Sequence, residues 1–223
     1  MELQQEDFDG IMGRIDYMLK SPHNIELEAI FNPVSLTKSM DRRTFELFVS
    51  RLKGLGFNEE MQPEQLDIRC DKYRDIRISI KGIEDISKYC KSNQLDDDMN
   101  IDYIKKGQVE DYDYKKGCDI KEYNIRVNIK EENLLDQEED YEEIESVKND
   151  LKIQKKSFRL KKRISYYTPD DLFRFDLTVL KVPEKMGDGQ YKKSTSLLNS
   201  NILNSSETFE VELEYIGEDT DEE

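Results

Sequence analysis

Six segments of the chain alternate with period two, one set of positions mostly apolar and the other mostly charged. A period of two produces two distinct faces only on an extended strand. The segments are Ile25–Phe31, Ile76–Lys81, Ile125–Glu132, Phe158–Ser165, Phe173–Leu180 and Phe209–Tyr215. Taken singly, each reads as a strand with one face on a core and the other in water. Taken together, they carry formal charges of both signs where an ordinary wet face would hold Thr, Gln and Ser. Glu210, Glu212 and Glu214 stack three like charges on one face of one strand, and Glu26 and Glu28 stack two more. Side-by-side carboxylates repel unless a cation sits among them.

A closed barrel with its charges inside accommodates this pattern. About eight strands enclose a lumen that side chains fill or that holds a small ligand. The expected class is α+β: an antiparallel closed β-barrel with flanking helices that cover its apolar outer face. The lining would carry Arg77, Lys81, Arg126, Lys130, Arg159, Lys161, Arg163 and Arg174 as cations. Glu26, Glu28, Glu132, Asp176, Glu210, Glu212 and Glu214 would be its anions. Such a tunnel suits a polyanion with a bound divalent cation. Arginine and lysine take phosphate oxygens, and carboxylates take hard ions such as Mg²⁺ or Mn²⁺.

Helical spacing of Phe8, Ile11, Met12, Ile15, Met18 and Leu19 predicts a first helix ended by Pro22. A second runs from Asp41 to Leu55 and a short third over Ile83–Lys91. The acidic stretch Asp136–Asp150 reads equally as helix or solvated loop. Lys192–Ser206, rich in Ser and Asn, and the acidic tail Glu218–Glu223 read as mobile.

Much chemistry is excluded. Cys70, Cys90 and Cys118 are widely spaced, and with His23 they are too few and too scattered for tetrahedral zinc. His23 would have to serve any histidine-dependent triad alone, and no GxSxG motif is present. None of the cysteines has an arginine six residues on, which removes cysteine-phosphatase chemistry. The 34 basic against 50 acidic residues give a formal charge of −16, which argues against duplex DNA as a partner. No apolar run is long enough to span a bilayer, and the acidic N-terminus is unlike a signal peptide. The expected location is intracellular.

IELEAIF near the N-terminus, RLKKR and RFDLT in the middle and FEVELEY near the end resemble the triphosphate-tunnel metalloenzymes. Within that group the chain is most similar to RNA 5′-triphosphatase domains of fungal, protist and large-DNA-virus mRNA-capping enzymes, the mimivirus type in particular. The resemblance spans Ile25 to Tyr215, with a poor match over Gly82–Lys121. It implies metal ligands at Glu26, Glu28, Glu210 and Glu214, with Glu212 holding metal-bound water. It implies phosphate contacts at Arg77, Arg159, Lys161, Arg163 and Arg174. Asp176 would orient its basic neighbours or water, and Thr178 completes the R-x-D-x-T pattern. Glu132 is the match for the residue that positions attacking water, with Glu131 as alternative. A further phosphate-binding lysine matches Lys106, with Lys105 equally placed. Arg126 joins the substrate contacts as a basic residue of the tunnel lining.

The implied reaction is Mg²⁺- or Mn²⁺-dependent hydrolysis of the γ-phosphate from the 5′-triphosphate end of nascent RNA, the first step of mRNA capping, with ATP as an alternative substrate. On this reading residues 1–217 form the tunnel domain and 218–223 lead toward a linked guanylyltransferase domain. The KMGDG string at Lys185–Gly189 has one residue too many for that domain's own KxDG motif. If viral, the protein would work in the host cytoplasm or the virion. Two rivals keep their place: a tunnel enzyme for inorganic tripolyphosphate or free nucleotides, and a non-enzymatic acidic β-rich interaction module.

Overall fold

The two-residue alternation closes the sheet on itself. In a computed structural model describing residues 3–32, 40–107, 109, 114, 116–187 and 189–217, ten strands form one antiparallel sheet. They are β1 (Ile25–Phe31), β2 (Asn58–Met61), β3 (Gln65–Cys70), β4 (Ile76–Lys81), β5 (Ile101–Lys106), β6 (Cys118–Ile120), β7 (Ile125–Leu134), β8 (Lys156–Tyr167), β9 (Phe173–Lys181) and β10 (Glu207–Tyr215). The path β1-β10-β9-β8-β3-β4-β5-β7 returns to its start because β7 also pairs with β1. Eight strands therefore make a closed barrel. β2 adds to β8 and β6 to β7 outside that ring.

Four helices flank the barrel: α1 (Gln5–Lys20), α2 (Arg42–Gly54), α3 (Ile83–Ser92) and α4 (Tyr141–Leu151). The first three match the sequence reading closely. Asp41 caps α2 by accepting from the Thr44 amide at 2.7 Å. The undecided acidic stretch contains α4, whose Ile144, Val147 and Leu151 recur on one face and are buried. Among the described residues no helix is long and apolar enough to cross a membrane.

The hydrophobic core lies outside the barrel wall, because the lumen side is committed to charge. One cluster joins Leu66, Ile68, Ile76, Ile78 and Ile80 of the strands to Ile86 and Tyr89 of α3 and Val147 and Leu151 of α4. A second joins Phe45 and Leu52 of α2 to Tyr166, Leu177 and Val211. The Lys192–Ser206 segment departs from expectation. Its Leu197 and Ile202 are buried in the first cluster; Leu197 precedes the 3₁₀ turn Leu198–Ser200 and Ile202 opens a second, Ile202–Asn204. The polar composition of the segment conceals these two anchors. The tail Glu218–Glu223 lies outside the described residues.

Lys156 is fully buried among these apolar groups. Its Nζ donates to the Leu151 carbonyl at the end of α4 (2.7 Å) and to Asn93 Oδ1 (3.1 Å). A cation there complements the helix C-terminus, but burial pulls its pKa down to about 8. The unfolded chain keeps its proton to about pH 10.4. Below pH 8 both states are protonated and the native state carries the full desolvation cost. Between pH 8 and 10.4 the unfolded state binds more protons, so stability rises with pH. Relative to Lys156→Met, the wild-type chain should gain on the order of 3 kcal/mol across that window. Urea denaturation of both proteins at pH 7 to 10 reads this difference, and parallel pH profiles would refute it.

Candidate functional site

The barrel encloses a cavity of about 290 Å³. Its wall is built by strand parity: residues whose neighbours pack outward into the core point inward. On β1 and β10 this parity directs Glu26, Glu28, Glu210, Glu212 and Glu214 into the lumen. The register sets Glu28 directly opposite Glu214. On β8 and β9 it directs Arg159, Lys161, Arg163 and Arg174 inward, and on β4, β5 and β7 it directs Arg77, Lys106, Lys130 and Glu132.

Most of these charges arrive in pairs. Glu28 accepts from Asn128 at 3.0 Å and lies 2.5 Å from Lys130 Nζ. Glu210 takes the Arg159 guanidinium at 2.9 and 3.1 Å, and Glu214 takes Arg174 at 2.5 Å. Glu132 accepts both terminal nitrogens of Arg77 at 2.5 and 3.2 Å and pairs with Lys106 at 3.0 Å. Burial pushes the Glu132 pKa up, but the Arg77 and Lys106 charges outweigh it and hold the carboxyl below its ordinary value.

Two buried aspartates set the cations in place. Asp176 accepts from Ser165 at 2.6 Å, Arg163 at 2.8 Å and Arg174 at 3.1 Å. Thr178 accepts from Arg163 Nε at 3.1 Å, so that guanidinium is fixed at two points. Asp67 on β3 accepts from Ser79 at 2.8 Å and pairs with Lys161 at 2.5 Å. Burial disfavours its charged form, yet Lys161 and Arg77 keep its pKa low. Asp176 and Asp67 share the inward face but are buried beneath the three cations they position.

The glutamates behave differently. Glu26 has its pKa raised to about 7, first by burial and then by Glu132 and Glu214. Glu212 is raised by burial, Glu28 and Glu210. Glu214 is raised by burial, with Arg174 opposing and Asp176 and Glu28 adding. Lys130 has the complementary balance: burial lowers its pKa, but Glu28, Glu212 and Glu132 hold it above its ordinary value. The carboxylates of β1 and β10 are crowded beyond what their neighbouring cations neutralise. Their oxygen donors suit Mg²⁺ or Mn²⁺. Among the described residues, no three acidic, histidine or cysteine side chains already converge as a finished ion site. The glutamates lean instead toward Lys130, Arg159 and Arg174.

The structure separates the paired alternatives. Lys106 faces the cavity, whereas Lys105 reaches outward to Glu143 of α4 at 2.8 Å. Glu132 faces the cavity, whereas Glu131 lies 3.8 Å from His23 outside it. Arg126 does not line the cavity. It lies where β6 pairs with β7, and Asp119 binds its Nε and Nη2 at 2.5 and 2.7 Å. Sequence reasoning missed Asp67 and Arg69 on β3 and Asp102 on β5. The signal was present in QLDIRC, where Asp67 and Arg69 alternate with Leu66, Ile68 and Cys70.

No protein-family model matches the chain, and no curated protein sequence does. Solved structures do match. The chain is similar to a mimivirus capping enzyme triphosphatase, with a TM-score of 0.63, 17% identity, and coverage of 97% of this chain and 91% of that one. It is similar to the RNA triphosphatase domain of a trifunctional mimivirus mRNA capping enzyme, at 0.62 and 15%, again with 97% and 91% covered. The S. pombe Pct1 RNA triphosphatase matches at 0.54 and 16%, with 96% and 80% covered. At these identities the likeness establishes a shared fold.

Proposed function

We propose that the chain is a divalent-metal-dependent RNA 5′-triphosphatase that removes the γ-phosphate in the first step of mRNA capping. One observation carries the reading: a closed tunnel has crowded glutamates on β1 and β10 and fixed guanidinium groups on β4, β8 and β9. It does so on the fold of RNA triphosphatases. A guest that neutralises both sets brings a metal cation and a polyphosphate together.

Glu26, Glu28 and Glu214, with Glu212 holding a bound water, are the carboxylates to hold Mg²⁺ or Mn²⁺. Glu28 and Glu214, and Glu210 if it joins them, would first have to release Lys130, Arg174 and Arg159. When bound, such an ion neutralises charge on the phosphoryl oxygens. The chain's own part is electrostatic and positional. Arg77, Lys106, Arg159, Lys161, Arg163 and Arg174 donate to the triphosphate oxygens, and Arg163 and Arg174 are held rigid by Asp176. Rigid donors stabilise charge as it develops without reorganising. Phosphoryl transfer through a loose transition state asks little of a base. Glu132, depressed in pKa by Arg77 and Lys106, therefore orients the attacking water by accepting a hydrogen bond. The leaving diphosphate stays on the RNA, and no covalent intermediate is needed. The natural partners are the 5′ end of nascent RNA and a linked guanylyltransferase domain; the expected setting is intracellular.

The test is release of labelled γ-phosphate from triphosphate-terminated RNA, with and without Mg²⁺ or Mn²⁺, by wild type and Glu214→Ala. Release that depends on metal, ceases with EDTA and is lost in the variant is the expected result. Absence of release from folded wild-type protein with metal present would overturn the reading in favour of the interaction module.

A further inference from the structure

Eight of the nine cations that line the tunnel cavity lie within ion-pair distance of a carboxylate. Arg69 is the exception among the described residues. It sits on β3 with no carboxylate at ion-pair distance among the described residues, and burial together with Arg77 and Arg159 lowers its pKa against the weaker opposing pull of Asp67 and Glu132. A half-buried guanidinium beside two others is costly unless an anion arrives.

Arg69 also lines a second cavity, of about 340 Å³, where β3 ends and β8 begins. Arg74 and Lys193 line it as well, with Asp71 as its one acidic residue among those described. Arg74 donates Nε to the Asp71 carbonyl at 3.2 Å, and its two Nη groups have no partner among the described residues. Lys193 is held in place by an antiparallel bridge between Ser194 and Lys156, whose two backbone hydrogen bonds are 2.8 and 2.9 Å. Its pairing with Asp71, at 2.5 Å, leaves that carboxylate about half exposed. Among the described residues the pocket therefore carries three cations against one anion, and it shares Arg69 with the tunnel lining.

We propose that this pocket docks the first phosphodiester of an RNA chain whose 5′-triphosphate lies in the tunnel. The inference rests on the triphosphatase reading and names the part of the substrate that reading leaves open. Arg69 lies one same-face strand step, about 7 Å, from Asp67, the anchor of Lys161. It bridges the two anion sites, and Arg74 and Lys193 receive the chain phosphate beyond it. Among the described residues that line the pocket the side chains are charged, polar or small, which suits contact with backbone charge rather than with a base. A free nucleoside triphosphate has no phosphate to place there. The pocket thus separates RNA from ATP, which the tunnel alone does not.

The experiment compares wild type with Arg74→Ala/Lys193→Ala, using a short triphosphate-terminated RNA and ATP in parallel. The ratio of kcat/KM for RNA over ATP is expected to fall about tenfold, through KM. The salt dependence of RNA binding should become shallower by about 1 in log–log slope. Lys193 and Asp71 are both partly exposed, so breaking their pair should leave the melting temperature in place. An unchanged ratio in a folded variant would overturn the inference. If wild type hydrolyses neither substrate, the triphosphatase reading fails on its own. Direct binding then decides the pocket: tighter binding of triphosphate RNA than ATP, lost in the variant, supports it, and equal affinities refute it.

Discussion

Glu28→Ala is expected to reduce metal-dependent phosphate release by roughly 10³-fold, on the order of 4 kcal/mol of transition-state stabilisation. Glu28 is 7% exposed and faces Glu214 across the β1–β10 ladder. Its loss removes an oxygen donor and breaks the Lys130 ion pair, leaving that cation only the more distant Glu132 and Glu212. The second effect pushes a cation into the space an ion would fill. Divalent metal should raise the melting temperature of wild type by binding only the native state, and Glu28→Ala should lose most of that rise. Glu28→Gln keeps the shape and the contact to Asn128 but lacks the charge, so it should fail in the same way. Equal metal stabilisation of wild type and Glu28→Ala would remove the ion from β1 and β10.

Arg163→Ala should lower kcat by about 10²–10³-fold with a smaller change in KM. The guanidinium is held by Asp176 at 2.8 Å and Thr178 at 3.1 Å, with Nη2 3.7 Å from Glu212. That fixed geometry costs no reorganisation when charge develops on the phosphoryl oxygens. Arg163→Lys should recover little, because an ammonium cannot span Asp176 and Thr178 and still present a donor to substrate. Asp176→Ala should cost about as much as Arg163→Ala, and combining them should add little, because both act through one unit. Full rescue by lysine would show that a point charge suffices and would remove the positional argument.

Much of this site was legible because its strands obey one rule on both faces. In FEVELEY and RFDLT every second residue is apolar and every other is polar, so strand, facing and chemistry are read together. β5 fails that rule: Ile104 faces the cavity, so IDYIKK does not alternate, and Lys105 and Lys106 could not be told apart. β3 keeps the rule, but it is a short strand that follows Pro63, and Asp67 and Arg69 escaped notice. Arg126 was misplaced because its partner Asp119 comes from β6, a three-residue strand too short to show a period. Acidic α4 was ambiguous because only Ile144, Val147 and Leu151 mark its buried face. The 192–206 segment hid two core residues in a polar sequence.

A wall one residue thick, with its core outside and its reagents inside, has an arithmetic of insertion. Adding one residue within β8 would turn Arg159, Lys161 and Arg163 toward α3 and the core while Phe158 and Leu160 turned into the lumen. Assembly and chemistry would fail in one step. Two added residues preserve parity, and growth in the connecting loops disturbs neither face. Length can therefore drift freely between strands but only in even steps within them. The particular apolar residue at each outward position is open to exchange. A barrel of this kind can lose most of its sequence identity and still be recognised by its rhythm.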